Sequence, residues 1–496
     1  MTTDFRRSKS ADFGTKAIKA AAIFSVAAVL CILFAIVISI IIDGVLGDVD
    51  YDRYREDMLT EIADRRGEYD PQSIVLEQTE EPEARALAER LGAELRMTDN
   101  GHFAVLTLPE SVTIEDVFKN DEFLTDLPGM SIDYMARISE IEASEEGDGL
   151  RNPQPPQYTV TDGSYTLQKY LDYINLNNAW NYTKGNHITV AIIDTGIDTD
   201  HPVFEGRISE YSYNASEDKI VKDHLLPDGS YDWSLIEDEH GHGTSVAGVL
   251  GASMNSGEIV GIAPRVELLV IKAECDEEGN FRRSSDLVFG LYYAIERDVS
   301  VVNMSFGSNL NLYEKPALLA RDSDIICVAA AGNESCPCPT YPAADPYVIG
   351  VGALDADSWE LADYSNFGES VDIVAPGWTY TTDIGGYTIT KGTSMSSPIV
   401  AGAVALYISR YGTTEFSDIE EVLYASCYDL GTPGPDWYYG YGALDVNAFI
   451  LEEHGKVSFN MMCDELESEE GVFIRNHTLQ NIPEPERNYS VFDGWY

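Results

Sequence analysis

Three glycine-flanked segments, far apart in the chain, constrain the fold most strongly, because each places a polar side chain where a predicted strand or helix begins or ends. They read I-T-V-A-I-I-D-T-G-I-D (Ile188–Asp198), H-G-H-G-T-S-V-A-G (His240–Gly248) and K-G-T-S-M-S-S-P (Lys391–Pro398). Asp194 follows a β-branched apolar run that is typical of a buried parallel strand. Open α/β sheets build their sites at the carboxyl ends of such strands, although a turn aspartate that caps the next element also fits this segment alone.

His242 and Ser394 each open a predicted buried helix. We choose His242 over His240 because it directly precedes the Gly-Thr start of a small, apolar helical stretch, whereas His240 fits a role in supporting the loop. Ser394 precedes the apolar run Ile399–Tyr407. Helix N-termini present free N–H groups and the positive end of the helix dipole. A plain serine N-cap is the alternative here, and this segment takes its meaning from the other two.

The three residue types suit nucleophilic catalysis. A serine hydroxyl is a weak nucleophile at neutral pH and needs a base within hydrogen-bond reach. A neutral imidazole is such a base, and a buried carboxylate fixes its tautomer and stabilises the imidazolium that forms. A fourth segment, V-A-A-A-G-N-E-S (Val328–Ser335), places Asn333 after another predicted strand. The Asn333 amide could donate to a tetrahedral oxyanion together with the Ser394 backbone N–H, and a turn asparagine is the alternative.

Together these four segments resemble the subtilisin-like serine proteases (subtilases), over about residues 158–451. The chain order Asp, His, Ser is the order of subtilisin. The resemblance implies an α/β fold with a doubly wound parallel sheet. It also implies a catalytic triad of Asp194, His242 and Ser394, with Asn333 in the oxyanion hole.

The resemblance further implies a substrate pocket for the P1 residue. The stretch V-V-N-M-S-F-G-S would line one wall of this pocket through Ser305, Phe306 and Gly307. Thr340 would lie near its base. This lining predicts an uncharged or hydrophobic P1 residue.

A calcium loop is implied as well, over Gly251–Ile262, with Asn255 at a ligand position. Val203, however, stands where relatives supply a carboxylate, and calcium prefers several oxygen ligands that include carboxylates. The acidic stretch Glu237–Glu239 is an alternative source of such ligands. We expect no cofactor and no metal for the chemistry, while a structural calcium ion stays open.

The charge balance is strongly acidic. The 496 residues hold 84 Asp and Glu against 32 Lys and Arg, a formal net charge of −52. Phosphate contacts need basic patches, so nucleic acid is not expected as a partner. The charge is spread along the chain, which favours a colloidally stable or salt-adapted surface over a site that attracts basic substrates. With 44% hydrophobic residues, a chain of this length is expected to form several globular domains.

Residues 20–42 form a charge-free, mostly apolar run that is long enough to span a bilayer. Basic residues precede the run and acidic residues follow it. This asymmetry predicts a cytosolic N-terminus at residues 1–19 and an external location for everything after Gly44. A cleaved signal peptide is the alternative. We favour an uncleaved signal-anchor because the run is longer than a usual h-region and no small-x-small site directly follows it.

The chain after the span predicts a stalk over residues 43–72 and then a compact module over residues 73–138. This module alternates as β-α-β-β-α-β, with a hairpin turn at Asn100-Gly101, which is the ferredoxin-like order. It resembles the subtilase propeptide, which implies an intramolecular chaperone and inhibitor. Any small α+β stalk module is the alternative.

A linker and a tail flank the predicted peptidase domain of residues 158–451. Residues 139–157 are acidic and then rich in Gly and Pro, and we expect self-cleavage within this linker. The tail, residues 452–496, ends in P-E-P-E-R-N-Y-S-V-F-D-G-W-Y and resembles a small β-rich repeat of bacterial surface proteins. A flap packed on the protease is the alternative for this tail.

Within the peptidase domain, short apolar strands alternate with helical patterns, which predicts a parallel sheet with helices on both faces. Strands are predicted at 188–193, 267–272, 300–305, 325–329, 348–352 and 371–374. Helices are predicted near 166–180, 243–253, 285–297, 314–321, 394–410 and 417–425. The resemblance adds a strand start at Tyr341–Ala343 and a closing helix over Tyr439–Phe449.

Seven cysteines are present, and outside the cytosol they can form disulfides. Cys327 lies in a predicted apolar strand, which favours a packed thiol. Cys336 and Cys338 flank Pro337 and are too few to predict a zinc site. A disulfide in this loop is plausible, with its pairing left open.

These features predict a membrane-anchored, extracytoplasmic serine endopeptidase that cleaves protein or peptide substrates through an acyl-enzyme on Ser394. Its own propeptide is a further expected partner, and release after processing is possible. An inactive surface adhesion or binding protein on the same fold is one alternative, although every catalytic residue is present. A processing factor for a single partner is another, which the membrane tether favours.

Overall fold

The computed structural model describes most of residues 51–138 and 167–451, together with two short strands beyond them. The gaps lie at positions 66, 77–79, 99–100, 102, 124–129, 255–257, 356–357 and 413–414. The predicted cytosolic segment, membrane span and linker therefore lie outside the described residues. In the part that is described, no helix is long and apolar enough to cross a bilayer.

The described residues group into two compact units. One consists of those within 1–65 and 115–130, and the other of those within 66–114 and 131–496. The first unit holds a 14-residue helix, α1 (Tyr51–Asp64), in the predicted stalk. The second unit holds the functional residues singled out by the sequence, and the site below lies within it.

A small sheet lies in the N-terminal part of the chain. The elements in this part are β1 (Tyr69–Leu76), α2 (Glu81–Leu91), β2 (Glu94–Met97), β3 (Ala104–Thr107), α3 (Ile114–Lys119), β4 (Met130–Tyr134) and β5 (Ala136–Ile138). Pro82 in the first turn and Gly92 with a left-handed φ of 63° set the ends of α2. The sheet has the strand order β2-β3-β1-β4. The last strand of the predicted module is interrupted at Met135, so that β4 joins this sheet and β5 pairs elsewhere.

The larger sheet runs through the predicted peptidase domain. The elements from there to the end of the chain are α4 (Tyr170–Tyr173), α5 (Leu176–Ala179), β6 (Thr189–Asp194), β7 (Tyr213–Asn214), β8 (Lys219–Ile220), α6 (His242–Gly251), β9 (Glu267–Lys272), β10 (Asn280–Phe281), α7 (Ser284–Glu296), β11 (Val301–Met304), β12 (Phe306–Gly307), α8 (Glu314–Asp322), β13 (Ile326–Ala330), β14 (Val348–Leu354), β15 (Ile373–Pro376), β16 (Trp378–Asp383), β17 (Gly386–Lys391), α9 (Thr393–Tyr411), α10 (Phe416–Ser426), α11 (Val446–Leu451), β18 (Val457–Phe459) and β19 (Glu469–Gly471). The strand order among the described residues is β15-β14-β13-β11-β6-β9-β7-β8. From β15 to β7 every neighbouring pair is parallel.

Both faces of the larger sheet are buried. Along β6, Val190 and Ile192 belong to one apolar core, whereas Ala191 and Ile193 belong to the other. This alternation follows the two-residue period of a strand, and it explains why the strand reads as a continuous apolar run. The doubly wound parallel sheet predicted from the sequence is therefore present.

The structure corrects three of the predicted elements. The helix near 166–180 is divided into α4 and α5, because Asn175 adopts a left-handed φ of 55° between them. The closing helix over Tyr439–Phe449 begins only at Val446, since Gly442 has a φ of 113° and its α-carbon faces the Tyr428 carbonyl. Tyr341 forms an isolated bridge to Ser308 and does not begin a strand.

A hairpin that the sequence analysis did not predict precedes the nucleophile segment. Strands β16 and β17 pair antiparallel and turn at Ile384-Gly385. The turn after β17 leads directly into α9, which is buried from Thr393 to Ile408. Helix α9 packs against β13, β14 and α6, so it is anchored in the middle of the domain.

Candidate active site

Asp194 and His242 form a buried acid–base pair. Asp194 is the last residue of β6 and His242 is the first of α6, and each is 1% exposed. The His242 Nδ1–H donates to Asp194 Oδ1 at 2.7 Å, and the same oxygen accepts the Thr195 N–H at 2.8 Å. A carboxylate bonded to Nδ1 leaves Nε2 as the basic nitrogen of a neutral imidazole. This pairing is the arrangement that a general base requires.

A glycine allows the helix of His242 to approach the end of β6. A Cβ at Gly243 would lie 2.3 Å from the Gly196 carbonyl oxygen and 3.1 Å from Thr195 Oγ1. The Gly196 oxygen belongs to the backbone, and the Thr195 hydroxyl is held by its hydrogen bonds to Asp238 and to the Gly243 N–H. The first turn of α6 can therefore lie against the Asp194 strand only with glycine at this position.

Ser394 lies in the first turn of α9 and is fully buried in this structure. Its hydroxyl donates to the Ser305 carbonyl oxygen at 3.0 Å, and the Ser305 hydroxyl donates to the Ser394 carbonyl oxygen at 2.9 Å. This reciprocal pair joins the helix start to the segment between β11 and β12. Because α9 also packs against α6, the serine and the histidine are carried by adjoining helices.

The side-chain amide of Asn333 is held in place through its oxygen atom. Its Oδ1 accepts hydrogen bonds from the Thr393 N–H and the Thr393 hydroxyl, both at 3.0 Å. Its Nδ2 is buried and makes no hydrogen bond to any described residue. An unpaired buried donor costs free energy unless a ligand satisfies it. The Asn333 amide is thus a donor held ready beside the helix start that carries Ser394.

The loop that carries Asn333 is organised by Asn366, a buried residue that the sequence analysis did not single out. The Asn366 Nδ2 donates to Ala331 O at 3.1 Å, to Glu334 Oε2 at 2.6 Å and to Thr340 Oγ1 at 3.1 Å. Its Oδ1 accepts the Glu334 N–H at 3.0 Å. The predicted pocket-base residue Thr340 is therefore tied to the same loop as Asn333.

A disulfide lies in this loop. Cys336 and Cys338 are bonded to each other. The Cys336 N–H donates to Asn366 Oδ1 at 3.2 Å, which links the bridged turn to the buried asparagine. Cys327 is a buried free thiol, whose pKa is raised to about 12 by burial and then by Asp345.

The predicted P1 wall is covered by the chain itself. Strand β5 pairs antiparallel with β12, with Ile138 opposite Phe306 and Arg137 opposite Gly307. On its other side β5 pairs antiparallel with β10, and the Ile138 N–H donates to Gly279 O at 3.0 Å. A three-residue strand therefore fills the gap between two strands of the peptidase, in the extended form that a bound peptide would take.

A further polar residue, Asn303, supports the segment that carries the nucleophile. Asn303 lies inside the apolar strand β11, where its Nδ2 donates to Ser305 Oγ at 2.9 Å. Its Oδ1 accepts the Ser397 hydroxyl at 2.8 Å. Buried polar groups of this kind are retained when they are fully bonded. A lone asparagine within a buried strand is the signal that could have marked it.

The calcium site that the resemblance implies stays a prediction, because part of its loop lies outside the described residues. Val203 is fully buried in the apolar core. Asn255 lies outside the described residues, and among those described no cluster of three or more His, Cys, Asp or Glu side chains could hold a metal.

Comparison with known proteins gives consistent matches. A profile of the subtilase family (Peptidase_S8) matches residues 185–442. An intracellular serine protease of Paenibacillus polymyxa is 35% identical over 249 residues, which cover 48% of this chain and 72% of the relative. Subtilisin DY of Bacillus licheniformis is 35% identical over 275 residues, which cover 53% of this chain and 91% of the relative.

Two solved structures share the fold. Fervidolysin from Fervidobacterium pennivorans, a keratinolytic enzyme related to subtilisin, aligns with a TM-score of 0.63 at 23% identity, over 80% of this chain and 64% of that one. The epidermin leader peptide processing serine protease of Staphylococcus aureus aligns with a TM-score of 0.59 at 20% identity, over 77% of this chain and 98% of that one. The predicted subtilisin-like α/β architecture is confirmed.

Proposed function

The chain belongs to the subtilase family of serine endopeptidases, and from this premise we propose that it is a membrane-anchored, extracytoplasmic enzyme made as a self-processing zymogen. Its substrates are proteins or peptides. The observation that carries the catalytic assignment is the buried 2.7 Å bond between His242 Nδ1 and Asp194 Oδ1 at the ends of β6 and α6. This bond fixes the tautomer in which Nε2 is the basic nitrogen, and α6 packs against α9, the helix that carries Ser394.

We assign the following roles to the site residues. The Ser394 hydroxyl attacks the peptide carbonyl while His242 takes its proton and returns it to the leaving amine. Asp194 holds the imidazole tautomer and stabilises the imidazolium. The Asn333 amide and the Ser394 backbone N–H donate to the oxyanion, and the α9 dipole adds to this stabilisation. Water then hydrolyses the acyl-enzyme with His242 as base.

The P1 pocket favours uncharged or hydrophobic residues in this proposal. Ser305 and Phe306 are buried along the wall, and Thr340 narrows the base while its hydroxyl is engaged by Asn366. A basic P1 residue would place its charge among these neutral groups, and the Glu334 carboxylate of the same loop is already bonded by the Asn366 amide at 2.6 Å. Profiling with a peptide library tests this preference, and an obligate Arg or Lys at P1 would contradict it.

Strand β5 is the support for a zymogen. It is the last described element before the linker 139–157, and it occupies the peptidase between β10 and β12. A segment that lies there as a strand delivers the following residues toward Ser394. We propose that residues 73–138 act as an inhibitory propeptide and that the first cleavage occurs within the linker.

Self-processing can be tested on the full chain. We expect wild-type protein to yield a new N-terminus between residues 139 and 157, which N-terminal sequencing identifies. The Ser394→Ala variant should remain uncleaved, because the nucleophile is absent while the fold is retained. Cleavage of the Ser394→Ala chain at the same bond when it is purified alone would contradict self-processing.

The location outside the cytosol rests on the apolar run at residues 20–42 and its flanking charges, which favour an external peptidase. The Cys336–Cys338 disulfide fits an oxidising compartment. Protease accessibility of the peptidase domain in intact cells, compared with lysed cells, tests this orientation. Protection in intact cells would contradict it.

Fluorophosphonate labelling separates an active enzyme from an inert binding protein on the same fold. Wild type is expected to be labelled, and Ser394→Ala is not. Absence of labelling in processed wild type would favour the inactive alternative. Substrate identification in a deletion strain then separates a factor with one partner from a general degrading enzyme.

A further inference from the structure

Asp238 is a buried carboxylate, 3% exposed, to which the catalytic roles above give no part. Its Oδ1 accepts hydrogen bonds from Thr195 Oγ1 (2.9 Å), from the His240 N–H (3.0 Å) and from the Gly241 N–H (2.9 Å). Its Oδ2 accepts the N–H and the hydroxyl of Thr244, at 2.9 and 2.7 Å. All these partners are donors, so they match an ionised acceptor on both oxygens.

These donors lie beside both members of the acid–base pair. Thr195 directly follows Asp194, and the backbone donors belong to the residues around His242. The Thr195 hydroxyl also accepts the Gly243 N–H at 2.9 Å. One carboxylate and one hydroxyl therefore connect the carboxyl end of β6 with the first turn of α6.

The segment that carries Asp238 is itself fixed to the sheet. The Ile197 N–H donates to Ile236 O at 3.0 Å, and the Asp238 N–H donates to Ile197 O at 3.1 Å. Lys272, at the end of β9, donates from its Nζ to the Glu237 carbonyl oxygen at 2.7 Å. The Asp238 carboxylate is thus held from the sheet side and cannot follow a displaced helix.

The Asp238 carboxyl is ionised at neutral pH. Burial alone would raise its pKa, but the Gly241 N–H and the hydroxyl and N–H of Thr244 outweigh this effect and hold the pKa below its ordinary value. The charge is therefore a permanent feature of the helix start under working conditions. It also complements the positive end of the α6 dipole.

We infer that Asp238 is a positioning residue that, together with Thr195, keeps the His242 imidazole aligned with Asp194 during proton transfer. This inference rests on the assignment of His242 as the general base. A misplacement of about 1 Å in a catalytic group can cost on the order of a hundredfold in rate. Loss of the Asp238 tie should therefore slow the chemical step more than it weakens ligand binding.

The rate of Ser394 phosphonylation by a fluorophosphonate measures this effect without a known substrate. In that reaction the Ser394 oxygen bonds to phosphorus, fluoride leaves, and His242 takes the proton. We expect Asp238→Asn, made as the full chain and measured after cleavage within the linker, to lower the maximal rate about a hundredfold. The half-saturating probe concentration should stay within about twofold, because the probe does not touch Asp238.

Thr195 provides a second test if Asp238→Asn folds poorly. Thr195→Val keeps the shape but removes the hydroxyl, and it is expected to lower the maximal rate about tenfold or more. Thr195→Ser restores the hydroxyl and should recover most of the rate. Asp232→Asn is the matched control, because Asp232 caps Ser234 in the same segment without contacting the pair, and it should behave as wild type.

The outcomes are separable from those of the proposed function. Wild-type maximal rates in both Asp238→Asn and Thr195→Val would overturn the positioning role, as would losses confined to the melting temperature or to the half-saturating concentration. If His242→Ala and Ser394→Ala abolish labelling while those two variants do not, only the positioning role fails. If His242→Ala is labelled normally, the catalytic assignment fails and the positioning role fails with it.

Discussion

The guanidinium of Arg96, on strand β2, lies 3.9 Å from the ring centre of Phe289, on helix α7. Its Nη1 donates to Ala215 O at 2.6 Å and to Asp286 Oδ1 at 3.3 Å, and its Nη2 donates to the Tyr213 hydroxyl at 2.5 Å. One side chain of the small sheet thus meets an aromatic face, a buried carboxylate and a backbone carbonyl of the peptidase. Contacts of this kind concentrate binding energy in few residues.

Replacement of Arg96 should shorten the time for which the proposed propeptide, residues 73–138, stays bound to the peptidase and inhibits it. Arg96→Ala removes a cation–π contact and charge-assisted hydrogen bonds, together worth about 2–4 kcal/mol in such settings. We expect the delay between cleavage in the linker and full activity to be at least tenfold shorter than in wild type. Labelling by a fluorophosphonate at successive times measures this delay. Arg85→Ala is the matched control, since Arg85 bonds only the exposed Glu81 among the described residues. An unchanged delay in Arg96→Ala would contradict a propeptide role for the small sheet.

Asp133 makes the stability of the second unit dependent on pH. It is buried, and it accepts hydrogen bonds from the Ser73 hydroxyl (2.6 Å), the Ser285 hydroxyl (2.5 Å) and the Ser285 N–H (3.1 Å). Burial outweighs these donors and raises its pKa from 3.8 to about 6. The folded state therefore binds this proton more tightly than the unfolded state. The contribution of this proton to the free energy of unfolding is fully present below about pH 4, and it is lost as the pH rises through about 6.

Because the Asp133 pKa is raised from 3.8 to about 6, the change in the free energy of unfolding over this pH range is about 3 kcal/mol. Urea unfolding of wild type and Asp133→Asn between pH 4 and 7 measures it. We expect the difference in unfolding free energy between the two proteins to change in favour of Asp133→Asn as the pH rises. A difference that stays constant over this range would show that Asp133 does not titrate there.

Asn333 is expected to act on the rate and not on binding. Removal of one side-chain donor from an oxyanion site costs about 10²–10³-fold in kcat. We predict that Asn333→Ala lowers kcat by about that factor with little change in KM, measured on a peptide substrate chosen from the library profile. Thr393→Val should lower kcat by a smaller factor. The side-chain oxygen of Asn333 would lose its bond from the Thr393 hydroxyl but keep its bond from the backbone N–H of residue 393. A rise in KM at unchanged kcat would assign Asn333 to substrate binding instead.

Gly243→Ala should damage both stability and catalysis. The new Cβ would meet the Gly196 carbonyl oxygen at 2.3 Å, so that α6 must move away from the Asp194 strand. Overpacking of this kind costs about 1–3 kcal/mol, and the displaced His242 should lower kcat as well. Gly386→Ala is the matched control, since nothing lies within 4 Å of a Cβ there. Thermal unfolding and labelling rates of both variants check the comparison.

The strands and the polar residues at their ends could be predicted because local patterns specify them. The β6 run is apolar on both faces, and Asp194 is the first polar residue after it. The hairpin β16–β17 was also detectable, since Thr and Tyr alternate on both sides of Gly385-Gly386. Its large side chains are not buried, however, and Trp378 and Ile389 are exposed, so no core-facing apolar run marks these strands in the sequence.

The connections between segments could not be read from local patterns. Asp238 accepts mostly backbone N–H groups, which every sequence offers, so only the fold determines which of them meet its carboxylate. The hydrogen bonds of Asn366 to Ala331 and Thr340 join parts of the chain about thirty residues apart in the same way. Strand β5 can pair with β10 and β12 only because the chain is interrupted at Met135. No glycine, proline or other typical turn residue marks this interruption in the sequence.

Helix α9 has a consequence for how the enzyme should fail under heat. Ser394 is the second residue of a helix whose first sixteen residues are all buried, so the nucleophile cannot loosen while the centre of the domain stays intact. Thermal inactivation and the loss of tertiary structure should consequently occur in one transition, with no range of temperatures at which a compact but inert peptidase accumulates.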